Sequence, residues 1–376
     1  METSHYFIIF PMYYKITTYF CSLIIPKNIK RHAIQIHKIN RYKLTAAIVA
    51  VVNNRDVHIV IINYNSEAST ISCLDSVLSN INDFSQITLI DNEATPDSIE
   101  TLSRWIEQNI GTLSAVPKEV IEASSADAII EQKSGSTGKL LYLPMSQNLG
   151  FTGASNVGIN IALTYKSDYV FLLNNDTTVQ AGLLSDLLET ITREKVAAVS
   201  PALVSRQSTN ERVNYPTEID RCRGFRGRSI KKSQSDDIYY VDFLSGAALL
   251  LDTDVLNEVG LFREDFFLYT DDLDMSLRIK DAGYELCYDN SVTVEHDSSP
   301  RGSLSTYYGT RNRLILITEY LSGLCRISSL VWYLSTQLIH ICYWISQKSH
   351  MKAFGAVEGV IDFMSGYRGK NPKYHE

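Results

Sequence analysis

The sequence predicts an α/β fold built on a mostly parallel sheet flanked by helices. From Val57 onward, short β-branched runs alternate with stretches of helical periodicity, and three of the first four runs end in asparagine or aspartate. With 376 residues, 45% apolar and 20% charged, the chain has the composition and length to bury a core. Strand–helix–strand repetition needs crossover connections, which parallel neighbours require and a two-residue hairpin cannot supply.

The elements follow in order. Val57–Ile62 is a buried strand ending at Asn63-Tyr64-Asn65, and Ser69–Leu78 carries Ile71, Leu74, Val77 and Leu78 at helical spacing. Ile87–Ile90 is a second strand ending at Asp91-Asn92, followed by a helix over Ser98–Ile106. Leu140–Leu143 is a third strand, Gly153–Leu163 a helix, and Tyr169–Leu173 a fourth strand ending at Asn174-Asn175-Asp176. Ligands of such sheets bind beyond the carboxyl ends of the strands, so Asn63, Asp91 and Asp176 are expected at one rim. Residues 108–139 read as a surface insertion, partly helical around Lys118–Ile130, and 205–237 as an irregular stretch. The latter holds six bases in the twelve residues Arg221–Lys232, the composition of a solvated loop or of a basic flap near phosphate.

Charge is unevenly spread. Residues 1–56 carry a net +6 and the remainder −13, for a total of −7, which does not suit a nucleic-acid binder. The leader combines aromatic and apolar runs, Tyr6–Phe10 and Ile16–Ile25, with six following bases. A cleaved signal would place its charge first, and a span is interrupted by Pro11 and Lys15, leaving either an extension suited to an anionic membrane face or an ill-ordered one without a role. The six cysteines lie far apart without a Cys-x-x-Cys pair and read as reduced packing residues of a cytoplasmic protein. No Gly-Lys-Ser/Thr follows a strand, which argues against a phosphoryl-transferring ATPase.

Several short motifs stand in a fixed order: Asn63-Tyr-Asn65, Leu89-Ile-Asp-Asn92, Asn148-Leu-Gly-Phe-Thr-Gly-Ala-Ser-Asn156 and Leu172-Leu-Asn-Asn-Asp-Thr177. They continue with Ser245-Gly-Ala247, Gly260-Leu-Phe262, Phe267-Leu-Tyr-Thr-Asp-Asp-Leu-Asp274, Arg278, Ala282-Gly-Tyr284 and His296. In this order they resemble glycosyltransferase family 2, and within it the rhamnosyltransferase-like and galactofuranosyltransferase-like enzymes. The resemblance covers about residues 57–320. It implies a Rossmann-like GT-A fold, a nucleotide-sugar donor, a divalent cation (Mg²⁺ or Mn²⁺) and inversion at the anomeric carbon.

The residues can be weighed against that implication. A departing nucleotide diphosphate accumulates negative charge, which a hard cation with oxygen ligands stabilises. Asp176 is placed to hold it, although the family's Asp-x-Asp reads Asn174-Asn175-Asp176 here, and the late His296 is matched to a metal ligand of some members. A base must take the acceptor's proton. The family's Glu-Asp-x-Asp reads Asp271-Asp272-Leu273-Asp274, which maps the base onto Asp272, with Asp271 beside it and Asp274 and Arg278 orienting the acceptor. Three acids at a helix start, behind Thr270 as N-cap, also complement the helix dipole, and Asp274 with Arg278 also forms an ordinary i, i+4 pair. Asn63, Tyr64, Asp91, Asn148, Asn156 and Asn175 are the expected donor contacts. The usual Asp-Asn-x-Ser reads Asp91-Asn-Glu-Ala94, one hydroxyl short.

Toward the C-terminus, Tyr307-Tyr-Gly-Thr-Arg-Asn-Arg313 resembles a Tyr/Arg-Asn element, and Ile327–Ser346 contains no charged residue. Polar residues dilute that segment and its aliphatics form one stripe, so an in-plane amphipathic helix is preferred to packing on the catalytic domain, and that to a span. The expected organisation is a membrane-associated extension over 1–56, a catalytic domain over 57–310 and C-terminal amphipathic helices over 311–376. The expected activity is transfer of a hexose or deoxyhexose to a lipid-linked or polysaccharide acceptor, by a protein peripheral at the inner face of the cell membrane. Two rivals are a sugar-1-phosphate nucleotidyltransferase, which lacks its basic glycine loop here, and a non-catalytic nucleotide-sugar binder with a thinned metal motif.

Overall fold

Helix and strand formation follow local chemistry. Thr95-Pro-Asp-Ser98 makes a capping box in which the Thr95 hydroxyl accepts the Ser98 amide and the Ser98 hydroxyl accepts the Thr95 amide, with proline at the first helical position. The first strand is apolar almost throughout because both of its faces are covered. The computed structural model describes residues 56–116, 118–124, 135–206, 211–230, 237–297 and 302–374. The basic leader, residues 1–55, lies outside the described residues.

The elements are β1 (Val57–Asn63), α1 (Glu67–Asn80), β2 (Gln86–Asp91), α2 (Pro96–Asn109), α3 (Lys118–Ser124), β3 (Gly135–Thr137), β4 (Leu140–Pro144) and α4 (Gly150–Thr164). They continue with β5 (Tyr169–Asn174), β6 (Thr177–Thr178), α5 (Leu183–Glu194), β7 (Ala198–Ser205), β8 (Thr217–Asp220), β9 (Arg226–Ser229), β10 (Ile238–Val241) and β11 (Ala248–Asp252). The last are α6 (Thr253–Val259), α7 (Asp271–Asp281), β12 (Leu286–His296), α8 (Ser303–Tyr320), α9 (Gly323–Ser346) and α10 (His350–Ser365).

Among the described residues a ten-stranded sheet runs β10-β12-β7-β11-β5-β1-β2-β4-β3, with β6 paired to β12. The strands β5, β1, β2 and β4 are parallel, as expected, and so are β7 and β12. The sheet as a whole is mixed: β10 and β6 lie antiparallel to β12, β3 to β4, and in the middle β11 to both β5 and β7. That reversal matters for the site. It brings the start of β11 beside the end of β5, where the Asn174 amide donates to the Ala247 carbonyl at 2.8 Å. Apolar clusters fill both faces of the sheet, one around Ile59, Leu74 and Phe171 and one around Val60, Ile161 and Leu249. Helix α4 lies close on the sheet because Gly158 sits against Val60, where a Cβ would overlap the valine methyls.

Three further expectations change. The stretch 205–237 is not wholly irregular: β8 and β9 form a two-stranded ribbon, closed through the 3-10 turn Arg221–Arg223 and Gly224 at φ +65°. In that turn Cys222 is disulfide-bonded to Cys325 of α9, 103 residues away, so this pair is not reduced. Spacing alone could not expose a partner so distant. Cys73 and Cys287 are free and buried and Cys342 is free and exposed, while Cys21 lies outside the described residues. The bond removes reduced cysteines as an argument for a cytoplasmic compartment. The boundary expected at residue 311 falls inside α8, which is continuous there and packs Leu314–Ile317 with Phe266, Leu273 and Leu277. Among the described residues no helix is long and apolar enough to cross a membrane.

Candidate active site

The carboxyl ends of the parallel strands meet in a chain of polar side chains. Asn175 donates to the Thr70 hydroxyl at 2.8 Å, Thr70 donates to Asn63 Oδ1 at 2.7 Å, and Asn63 Nδ2 donates to Asp91 Oδ1 at 2.8 Å. Asp91 Oδ2 accepts from the hydroxyls of Ser98 at 2.7 Å and Tyr142 at 3.0 Å. Burial raises the Asp91 pKa, and the bonds from Ser98, Asn63 and Tyr142 pull against that rise. Asn63 and Asp91 therefore form the floor of the rim. Both are buried with their side-chain polar atoms engaged, which leaves the Asp91 carboxylate, expected to meet the base or ribose, closed to a donor; the contact expected of Asn63 is through its backbone. Thr70, Ser98 and Tyr142 were not among the expected residues. They come from elements packed behind the rim, and a hydroxyl on the inner face of an otherwise apolar segment was their only signal.

The next wall is the glycine turn. Asn92 accepts the Leu149 amide and donates to Asn148 Oδ1, which accepts the Gly150 amide at 2.8 Å. Gly150 has φ +71°, and a Cβ there would overlap the carbonyl of Phe267, so the turn needs glycine twice over. Tyr64, Asn148 and Asn175 keep partial exposure at the rim. Asn156 does not. It is buried, accepting the Phe262 amide and donating to the Phe262 carbonyl and Glu264, so it fixes the 262–264 loop and is not open to a donor.

Asp176 follows β5 directly, and β12 brings His296 to it through the register His296–Thr177. His296 Nε2 lies 3.2 Å from Asp176 Oδ1. The pair is within ionic reach but is not aligned as a hydrogen bond, for Asp176 Oδ1 is left, with His296 Nδ1, as a buried polar atom without a partner. Orphaned polar atoms of this kind are uncommon. Among the described residues no three His, Cys, Asp or Glu side chains converge as a complete metal cage. One carboxylate and one imidazole fit a cation that takes its remaining ligands from substrate phosphates and water, as Mg²⁺ commonly does.

The acid pair stands at the start of α7. Phe267, Tyr269 and Thr270 have φ of +65°, +62° and +70°, a concentration of strained backbone in four residues. Asn312 holds this loop by donating to the carbonyls of Phe266, Leu268 and Tyr269, and the fully buried Arg311 donates to Asp265 and Phe266. The Tyr/Arg-Asn element is thus the brace of the loop that launches α7. Thr270 precedes the helix in left-handed geometry and makes no side-chain cap, contrary to expectation. Asp271 is buried, and its pKa is pushed well up by burial and then by the charge of Asp272. Asp272 is partly exposed and accepts the Leu273 amide at 2.9 Å. Burial raises its pKa too, while the amides of Leu273 and Gly246 and the charge of Arg313 draw it back.

Asp272 lies over Gly246, and Gly246 adjoins Ala247, which receives the Asn174 amide. Only Asn175 then separates that hydrogen bond from Asp176. The fold thus brings Asp272, in the first turn of α7, and Asp176, in the turn after β5, to the same end of the sheet. Asp274 and Arg278 are not open to an acceptor. Asp274 has no exposed surface and accepts from Arg278 at 2.9 Å and Tyr320 at 2.8 Å, while Arg278 also donates to the carbonyls of Val259, Gly260 and Leu261. Their expected orienting role is corrected to bracing the 259–261 turn. A separate polar cleft of about 270 Å³, lined by Lys166, Asp168 and Asp252, lies at the opposite end of β5.

The fold is that of the GT-A class, as solved structures bear out. The chain is similar to the mannosyltransferase PcManGT from Pyrobaculum calidifontis, solved with GDP-Man and Mn²⁺, at 12% identity and a TM-score of 0.52, over 82% of this chain and 86% of that one. It is also similar to GalNAc-T7, solved with UDP, GalNAc and Mn²⁺, at 13% identity and a TM-score of 0.50, over 79% of this chain but only 59% of that one. A family model, Glycosyltransferase like family 2, matches residues 37–315, and the chain belongs to that family. A relative by sequence is the low-salt glycan biosynthesis hexosyltransferase Agl10 of Haloferax volcanii, 18% identical over 266 residues, covering 69% of this chain and 75% of the relative.

Proposed function

We propose that this glycosyltransferase moves a hexose or deoxyhexose, rhamnose-like in class, from a nucleotide-diphosphate sugar to a hydroxyl of a lipid-linked or polysaccharide acceptor, with inversion. The observation that carries the reading is the placement of Asp272 and Asp176 on either side of the Asn174–Ala247 hydrogen bond, at the ligand-binding end of the sheet. Tyr64, Asn148 and Asn175 are the donor contacts, backed by the buried Asn63 and Asp91. Asp176 and His296 hold Mg²⁺ or Mn²⁺, which when bound offsets the charge gathering on the departing diphosphate. Asp272 accepts the proton of the acceptor hydroxyl as its oxygen bonds to the anomeric carbon and the bond from that carbon to the diphosphate breaks. Burial raises the proton affinity of Asp272 and keeps it basic, and its charge in turn helps to push the pKa of the buried Asp271 well up. The acceptor class places the work at a membrane surface, expected to be the cytoplasmic face.

The specific observation in favour of a non-catalytic binder is the two-residue metal set. A thermal-shift panel of nucleotide sugars with Mg²⁺ or Mn²⁺, followed by product analysis, separates the two. One donor class should raise the melting temperature in a metal-dependent way, by about 2.7 kcal/mol of stability at a hundredfold excess over Kd. The same donor should then be hydrolysed or transferred. Stabilisation without any turnover would favour the binder, and no stabilisation by any donor would contradict both.

A further inference from the structure

The two C-terminal helices are built inside out. In α9 the buried side chains are Ser329 and Tyr333, while Leu324, Ile327, Val331, Leu334 and Leu338 repeat at helical spacing on the outside, Leu324 at 84% and Leu338 at 63% exposure. In α10 the buried residues are Ala353, Gly355, Ala356 and Gly359, and the exposed ones are Met351, Phe354, Val357, Ile361 and Met364. The small residues are required inside, since a Cβ on Gly355 would meet the Ser303 carbonyl at 2.7 Å and one on Gly359 the Tyr307 carbonyl at 2.6 Å. The pattern thus seats α10 on α8 by its small face and turns the large apolar face outward. Exposed apolar surface on this scale marks a contact with something apolar.

We propose that the outer face of α9 and α10 docks this chain, lying in plane, on an anionic lipid bilayer. Charge selects that occupant. From Leu321 to Val357 there is no aspartate or glutamate, while Arg326, Lys348 and Lys352 flank the stripe, none paired with a carboxylate among the described residues. Arg226 of the ribbon lies over Trp332 at 5.7 Å, so the ribbon that Cys222–Cys325 fastens to α9 adds a further base at the rim. Tyr343 and Trp344 supply side chains suited to the headgroup layer. The two acids of α10, Glu358 and Asp362, are engaged by Lys373 and Tyr374 and by Tyr307 and Asn371, so a two-fold copy of the same face would set these bases against one another, whereas anionic headgroups complement them. This deepens the membrane side of the proposed function and rests on that reading for its purpose, since a lipid-linked hydroxyl is presented at the headgroup level.

The test is flotation of the full chain with vesicles of phosphatidylcholine alone and of phosphatidylcholine mixed with phosphatidylglycerol. The chain should float with the mixed vesicles, less so as salt rises. The double variant Leu338→Glu, Phe354→Glu should lower that binding by about tenfold or more, and Lys348→Gln, Lys352→Gln should lower it only on anionic vesicles. Binding that neither variant alters would assign membrane contact to residues 1–55 and overturn the proposal. So would a dimer by light scattering that the glutamate variant dissociates. Thermal shift by nucleotide sugars in vesicle-free buffer should be the same in all variants. Its absence from the wild type would count against the glycosyl-transfer reading and leave the flotation result standing.

Discussion

Asp272→Asn lowers sugar transfer by about 10²–10⁴-fold, the usual worth of a general base, while donor binding with metal stays within a few-fold of wild type. Asparagine keeps the shape and can still receive the amides of Leu273 and Gly246, so the loss isolates proton acceptance. The pH profile provides a second check. Burial raises the pKa of Asp272, and Asp271 beside it is held well up for the same reason. A base works when deprotonated, so the rate should climb with pH through an acid limb lying above the ordinary carboxylate range. That limb belongs to the pair, since the two carboxyls titrate together. In Asp272→Asn it should vanish with the activity. Steady-state rates against pH, with donor affinity measured separately, check both parts. Unchanged turnover would remove Asp272 from the role of base.

Asp176→Asn has the opposite signature. It should abolish the metal-dependent part of donor binding, weakening the metal by more than the roughly 10–100-fold that loss of an outer partner costs. Asp272 and its pH limb should remain. His296→Gln should weaken the metal less, because the carboxylate carries the charge. Calorimetric titration of Mn²⁺ with nucleoside diphosphate into each variant checks this, and a metal affinity equal to wild type in Asp176→Asn would exclude that residue as a ligand. Both variants should fold, since Asp176 Oδ1 has no hydrogen-bond partner to lose and Asp272 is partly exposed.

The strands were legible because each is a short apolar run, closed by Asn or Asp at β1, β2 and β5, and their observed bounds differ from the expected ones by a residue or so at β1, β2, β4 and β5. The ordered motifs located the acid pair and Asp176. What sequence could not show was which polar groups face inward. Asn156, Asp274 and Arg278 sit in motifs that suggest ligand contact, yet their partners are loop carbonyls and side chains distant in sequence, reached only after folding. The antiparallel β11 was hidden for a related reason, since an apolar run carries no direction. The Cys222–Cys325 bond and the outward stripe of α9 depend on how a late helix meets a mid-chain ribbon. Periodicity found the stripe but could not say whether it points in or out.

In the proposed site one cleft holds a cation on Asp176 and a base at Asp272, which anomalous scattering from a crystal grown with Mn²⁺ and a nucleoside diphosphate can check. A single manganese peak should be liganded by Asp176 and His296, with the diphosphate extending toward Asn148 and with Asp272 facing the same space. A peak bound elsewhere, or a diphosphate separated from Asp272 by protein, would contradict this placement.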